Sequence, residues 1–305
     1  MITRIFSKSQ PINFIIVAVC VSLLFVITNY TQLFSNLNTI LVTISKWAIT
    51  LFLIFLLDFI VSKNNLTQRN SYAILTFGLL FGMFPEAMSH LDLLVSNLFI
   101  IFALRRLISL HSKLNIKKKL FDAAFWIALA ALFYFWAILF FALVIVALIY
   151  HSQNDFKNII IPFAGIATVF ILLLTYNIMV HDVFLRPTNF KRYASLEFTA
   201  YNSKAGILKL TVLFTALVWT LIYYFKNIPD KSKKLKPSYF IMAWASIIAV
   251  LVAIIASTKN GSEFIFLFVP FSIIMANYIE VISERWFKEV FVALLLIVPI
   301  ISLLL

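Results

Sequence analysis

The stretch FGMFPEAMSHLDLL, residues 81–94, breaks an apolar run with Pro85, Glu86, His90 and Asp92. On a helix, Glu86 and His90 lie four residues apart on one face, where a carboxylate can orient an imidazole for acid or base work. They form the candidate catalytic pair. Pro85 suits the first position of a new turn. Ser89-His90-Leu91-Asp92 matches a capping box, in which Ser89 accepts from the amide of Asp92 and the acid reaches back. A cap accounts for Asp92 but not for Glu86 and His90.

A second polar stretch, HDVFLRPTNFKRYASLEFTAYNSK, spans residues 181–204. Arg186, Lys191, Arg192 and Tyr193 are the candidate residues for a substrate or an anionic lipid. Basic forks among aromatic rings suit a phosphate with a sugar ring, or a lipid headgroup. Glu263, beside Gly261 and Ser262, adds an acid that topology brings to the same side. No metal and no cofactor are expected, because the four histidines show no metal-ligand spacing. Cys20 stands alone, so neither an internal disulfide nor a cysteine cluster is possible. There is no phosphate-cradling glycine loop and no H-E-x-x-H.

The elements that position these groups follow from composition. Of 305 residues, 63% are hydrophobic and 12% charged, far from the balance of a water-soluble domain. This predicts an all-α, polytopic transmembrane bundle, a single domain over residues 1–305 with no soluble part. A helical crossing needs roughly 20 residues. The clear spans are 12–29, 39–61, 91–110, 159–180, 205–225, 238–256, 263–279 and 288–305. Residues 71–84 make a short segment ended by Pro85, and residues 120–150 divide into two short helices at the aromatic knot Phe133–Trp136. The total is about 11 membrane segments, in which the short pairs either cross or re-enter. The basic start and apolar run of residues 1–30 imitate a signal peptide but lack a small-x-small cleavage site, so an uncleaved first helix is expected.

Charge sets the expected orientation. With the N-terminus inside, 18 of the 25 basic residues fall in inner segments and 5 in outer ones, while Lys46 and Lys209 lie within spans. That asymmetry places the N-terminus in the cytoplasm and the C-terminus outside. It also explains the net charge of +13 without a nucleic-acid partner. Lys46 and Asp58 sit near opposite ends of the second span, able to snorkel or pair with loop charges. Asp122 is expected in the first turn of a helix, favoured by its dipole. Gly78 and Gly82, spaced G-x-x-x-G, allow a neighbouring helix to approach closely.

The order PEAMSHLDLLVSNLFIIFALRRL, a basic inner loop, then LFDAAFWIALAALFYFWAIL resembles the helix layout of multi-spanning glycosyltransferases and polysaccharide polymerases that use polyprenol-linked sugars. The likeness covers roughly residues 70–180. It implies work on lipid-linked glycans at the outer face of a bacterial inner membrane. The chain departs from that group in being short and in lacking an acid in the first outer loop, residues 29–38. It is also similar to uncharacterised polytopic bacterial inner-membrane proteins. Three classes of function follow. They are a non-catalytic membrane subunit or partner in a cell-envelope assembly, outer-face handling or transfer of a polyprenyl-phosphate-linked glycan, and transport of a small solute or lipid.

Overall fold

The computed structural model describes residues 2–151, 156–184 and 193–304. These form the α-helices α1 (Ile2–Ile5), α2 (Pro11–Thr28), α3 (Tyr30–Leu33), α4 (Leu37–Asn64), α5 (Tyr72–Met83), α6 (Leu91–Ile108), α7 (Ile116–Phe133), α8 (Ala142–Tyr150), α9 (Phe156–His181), α10 (Lys204–Asn227), α11 (Lys236–Ile255), α12 (Ile265–Val281) and α13 (Arg285–Leu304). Short 3-10 turns join several of them, and no strand occurs among the described residues. In a bilayer every backbone polar group must be satisfied within the chain, which favours helices for so apolar a sequence. Seven helical segments are long and apolar enough to cross a membrane. The chain is thus a helical integral membrane protein.

α12 is the axis of the bundle, and every residue from Ile265 to Ile279 is buried. It packs against α5, α6, α10 and α11, while α2, α4 and α13 close around α5. Rings of Phe77, Phe81 and Phe268 meet edge to face at 5.0, 5.1 and 6.3 Å, and Thr76 Oγ1 donates to Ser272 O at 3.2 Å. Lipid tails are as apolar as these side chains, so the close fit itself holds the helices together. At Gly78 an added Cβ would lie 2.7 Å from Val17 Cγ1. α2 can approach α5 there only because glycine has no side chain.

Contacts define two ends. At one, Asn70 Nδ2 donates to Glu280 Oε1 (2.6 Å) and Tyr239 Oη to Leu66 O (3.0 Å). At the other, Phe84 packs on Phe264 at 4.9 Å and Tyr134 on Phe266 at 5.4 Å. α5 therefore runs end to end, antiparallel to α12, although 12 residues rise only about 18 Å. The turn Phe135–Phe141 with α8 also runs from Tyr134 at the second end to Tyr150, which stacks on Phe240 near the first at 4.4 Å. Neither short segment turns back within the bundle.

Two local expectations are corrected. Asp122 lies beyond the first turn of α7, because the helix starts at Ile116 and takes in Lys117–Lys119, and it pairs instead with Arg106 of α6 at 2.9 Å. Ser89 does not cap α6. The N-cap is His90, without a side-chain cap hydrogen bond. The reason is upstream, where Pro85–Met88 winds into a 3-10 turn and ties the Ser89 amide to Glu86 O at 3.1 Å.

Candidate functional site

Pro85 builds the site. It lacks an N–H and bars helical backbone at the residue before it, so Phe84 leaves the helix at φ −128°, ψ 71°. The following turn sets Glu86 at the rim of the second end. Opposite it, Ser203 Oγ accepts from Gly206 N at 3.0 Å and caps α10. This starts the helix so that Lys209 faces Glu86, with Nζ 3.6 Å from Oε1 and 5.9 Å from the centre of the Phe84 ring. Gly206 is required there, since a Cβ would meet Tyr201 O at 2.7 Å.

The third wall is the loop before α12. Gly261 adopts φ +95°, a left-handed conformation that glycine enters without strain. Glu263 Oε2 then accepts from the amides of Gly261 (2.9 Å) and Asn260 (3.3 Å), while its Oε1 accepts from Tyr201 Oη. The Gly261 amide also lies 3.0 Å from Tyr201 Oη. Burial pushes the Tyr201 phenol well up from its ordinary range, and the Glu263 carboxylate adds to the rise. Lys259 closes the neighbouring helix, donating to Ala253 O, Ile254 O and Ala256 O at 3.2, 2.6 and 3.0 Å. It lies 4.7 Å from the centre of the Phe198 ring.

A polar cavity of about 220 Å³ lies between these walls, lined by Phe84, Glu86, Tyr201, Lys209, Asn260 and Gly261 among others. Glu86 Oε2 is buried and has no hydrogen-bond partner among the described residues, and it lies 3.5 Å from where a Cβ on Gly261 would stand. His90 stands just outside, its Nε2 3.0 Å from Asn260 Nδ2. Burial and the Lys46 ammonium lower its pKa against an opposing pull from Asp92. Lys46 is itself buried and donates to Gln32 Oε1 at 2.9 Å.

Glu86, His90 and Glu263 thus come to one end. The expected direct pairing of Glu86 with His90 is replaced, because the 3-10 turn separates them: Glu86 meets Lys209 and His90 meets Asn260. Glu263 serves as the loop's frame rather than lining the cavity. Tyr193 is exposed, and Arg186, Lys191 and Arg192 lie outside the described residues. Tyr201 and Asn260 were not singled out by sequence reasoning, and Lys209 was noted only as a basic residue within a span. A lysine inside an apolar helix signals a partner, and Asn260-Gly261 is a turn dipeptide. No cluster of three histidine, cysteine or acidic residues that could hold a metal occurs among the described residues.

Residues 1–305 match a family of unknown function, DUF6427. No curated protein and no solved structure matches the chain, so the likeness in helix order to glycosyltransferases gains no support from either.

Proposed function

We propose, from the premise that the chain belongs to the DUF6427 family of unknown function, that it is a non-catalytic membrane component of a bacterial cell-envelope assembly. In this reading its outer end holds the polar headgroup of a ligand. The chain crosses the inner membrane with about eleven segments, N-terminus inside and C-terminus outside, and the Glu86 cavity opens to the outer face. Basic residues support that orientation, since they crowd the end holding Lys63, Arg69 and Lys231–Lys236.

The observation that carries the binding role is the Glu86–Lys209 pair lining the cavity. Lys209 can donate to a phosphate oxygen, and Glu86 can accept from a sugar hydroxyl. The buried, unpartnered Oε2 costs about 1–3 kcal/mol, so the carboxylate gains by turning towards a donor that enters. A non-catalytic role fits because Glu263 is engaged by Tyr201 and two amides, and His90 by Asn260. Outer-face handling of a polyprenyl-phosphate-linked glycan is the ligand reading this charge pair favours.

The test uses purified full-length protein with a short-chain polyprenyl phosphate and its singly glycosylated form, followed by native mass spectrometry. Tighter binding of the glycosylated form, unchanged in mass after incubation and lost in Glu86→Gln, is expected. Release or transfer of the sugar would make the protein an enzyme, and no binding of either lipid would reject the reading. Reporter fusions after Lys119 and Lys236 should stay in the cytoplasm, and fusions after Arg192 and at Leu305 should reach the outside.

A further inference from the structure

At the opposite end of the bundle, two adjoining hollows share Gln10. One, of about 350 Å³, lies between α2, α4 and α5 and is lined by Ser9, Phe14, Phe55, Asp58, Ser71 and Ile74 among others. The other, of about 530 Å³, is lined by Arg4, Ile5, Ser7, Lys8 and Gln10. Asp58 is half-buried in α4, six residues before its end at Asn64, or about 9 Å along the helix. Among the described residues Asp58 has no ion-pair or hydrogen-bond partner. An ionisable residue at such depth marks a functional site whose partner should be named.

The ledge above it is held in place. Ser71 N donates to Phe6 O at 2.9 Å and Ser9 N to Arg69 O at 3.3 Å, while Asn13 Nδ2 donates to Lys8 O at 2.8 Å and to Ile5 O at 3.1 Å. Arg4 and Lys8 are exposed and line one hollow, and Asp58, half-buried, lines the other with Phe14 and Phe55, the two meeting at Gln10. The groove thus presents cations, a neighbouring anion and then apolar walls.

We propose that this groove binds one phospholipid whose headgroup carries both a phosphate and a primary ammonium, as in phosphatidylethanolamine. Arg4 and Lys8 take the phosphate. Asp58 accepts hydrogen bonds from the ammonium, and an acyl chain lies along Phe14, Ile15 and Phe55. An anionic headgroup without the ammonium would meet the Asp58 carboxylate unpaired. A trimethylated ammonium would bring charge but no N–H donor. The site is separate from the Glu86 cavity and stands whether or not that cavity binds a glycan.

The experiment reconstitutes the full chain in micelles containing equal amounts of phosphatidylethanolamine, phosphatidylcholine and phosphatidylglycerol, and counts retained lipids by native mass spectrometry. The wild type should retain phosphatidylethanolamine about tenfold over phosphatidylcholine, the ratio expected of one charge-assisted hydrogen bond. Asp58→Asn should bring the two to parity while leaving the helical circular dichroism unchanged. Arg4→Gln with Lys8→Gln should lower retention of both. No preference in the wild type, a preference that survives in Asp58→Asn, or retention led by phosphatidylglycerol would each overturn the proposal. If Asp58→Asn fails to fold, Asp58→Glu decides: it keeps the carboxylate and should keep the preference, and loss of the preference there would also overturn it.

Discussion

The two ends of the bundle each carry acids set into the packing, Glu263 buried and Glu86, Glu280 and Glu289 half-buried, yet they use them differently. At the end near the N-terminus, Glu280 Oε1 accepts from Gln68 N and Asn70 Nδ2 at 2.8 and 2.6 Å. Glu289 accepts from Ile2 N, Thr3 N and Thr3 Oγ1 at 3.1, 3.1 and 2.7 Å. Glu280 staples the loop before α5 to α12, and Glu289 staples α1 to α13. At the other end Glu263 does the same for Tyr201 and the Asn260–Gly261 turn, but Glu86 beside it keeps one oxygen without a partner and faces a cavity. Residue type does not separate structural from functional acids here. What separates them is whether the surrounding donors already satisfy the carboxylate, since a satisfied group gains little from a ligand and an unsatisfied one gains much.

The sharpest way to break the comparison is to remove the satisfied acids. Glu263→Ala leaves the buried Tyr201 hydroxyl and the Asn260 amide without an acceptor, each worth about 1–3 kcal/mol, while the Gly261 amide keeps Tyr201 Oη. A loss of at least ~2 kcal/mol is expected, read as a lower unfolding midpoint in detergent. Glu280→Ala should cost less, about 1–2 kcal/mol, because the Gln68 amide it releases is exposed and can bond water. If Glu280→Ala proved the more damaging, burial would not rank these acids.

The sequence carried the helical membrane class in its composition, and the helix break in Pro85. The charge asymmetry also assigned Glu86, His90 and Glu263 to one side, and the fold brings all three to one end. Their partners were not legible, because Lys209 and Tyr201 are distant in sequence and meet Glu86 and Glu263 only through the packing of α10 beside α12. The capping box failed for a local reason. The 3-10 turn competed for the Ser89 amide, a choice that the motif Ser89-x-x-Asp92 does not encode.

A smaller effect on stability, with a larger one on binding, is expected at the unsatisfied acid. Glu86 is partly exposed and its pair with Lys209 is at 3.6 Å, so Glu86→Gln should change stability by no more than about 0.5 kcal/mol. Lys209→Met should resemble it in unfolding but weaken any phosphate-bearing ligand. A midpoint shift as large as that of Glu263→Ala would show that Glu86 is a staple too, and the contrast between the acids would disappear.

The smallest expected effect concerns pH at the mouth of the cavity. Burial first, and Lys46 second, hold the folded-state pKa of His90 below its ordinary value of 6.5, against Asp92. The sign follows from linkage. A folded state that binds its proton less readily than the unfolded chain is favoured while the imidazole is neutral, so the contribution is present above about pH 6.5. It declines as the pH falls towards and through the lowered folded value. His90 is exposed enough for solvent to moderate the effect, so the slope should be shallow. It should show as a slight drop in the unfolding midpoint between neutral and mildly acidic buffer. His90→Gln retains a hydrogen-bonding group for Asn260 but cannot titrate. It should remove that part of the pH slope and leave the midpoint at neutral pH nearly unchanged. Glu86→Gln should keep it, because the groups that shift His90 are the burial around it, Lys46 and Asp92. An unaltered slope in His90→Gln would place the acid sensitivity elsewhere and leave His90 as a neutral hydrogen-bond partner of the Asn260 turn.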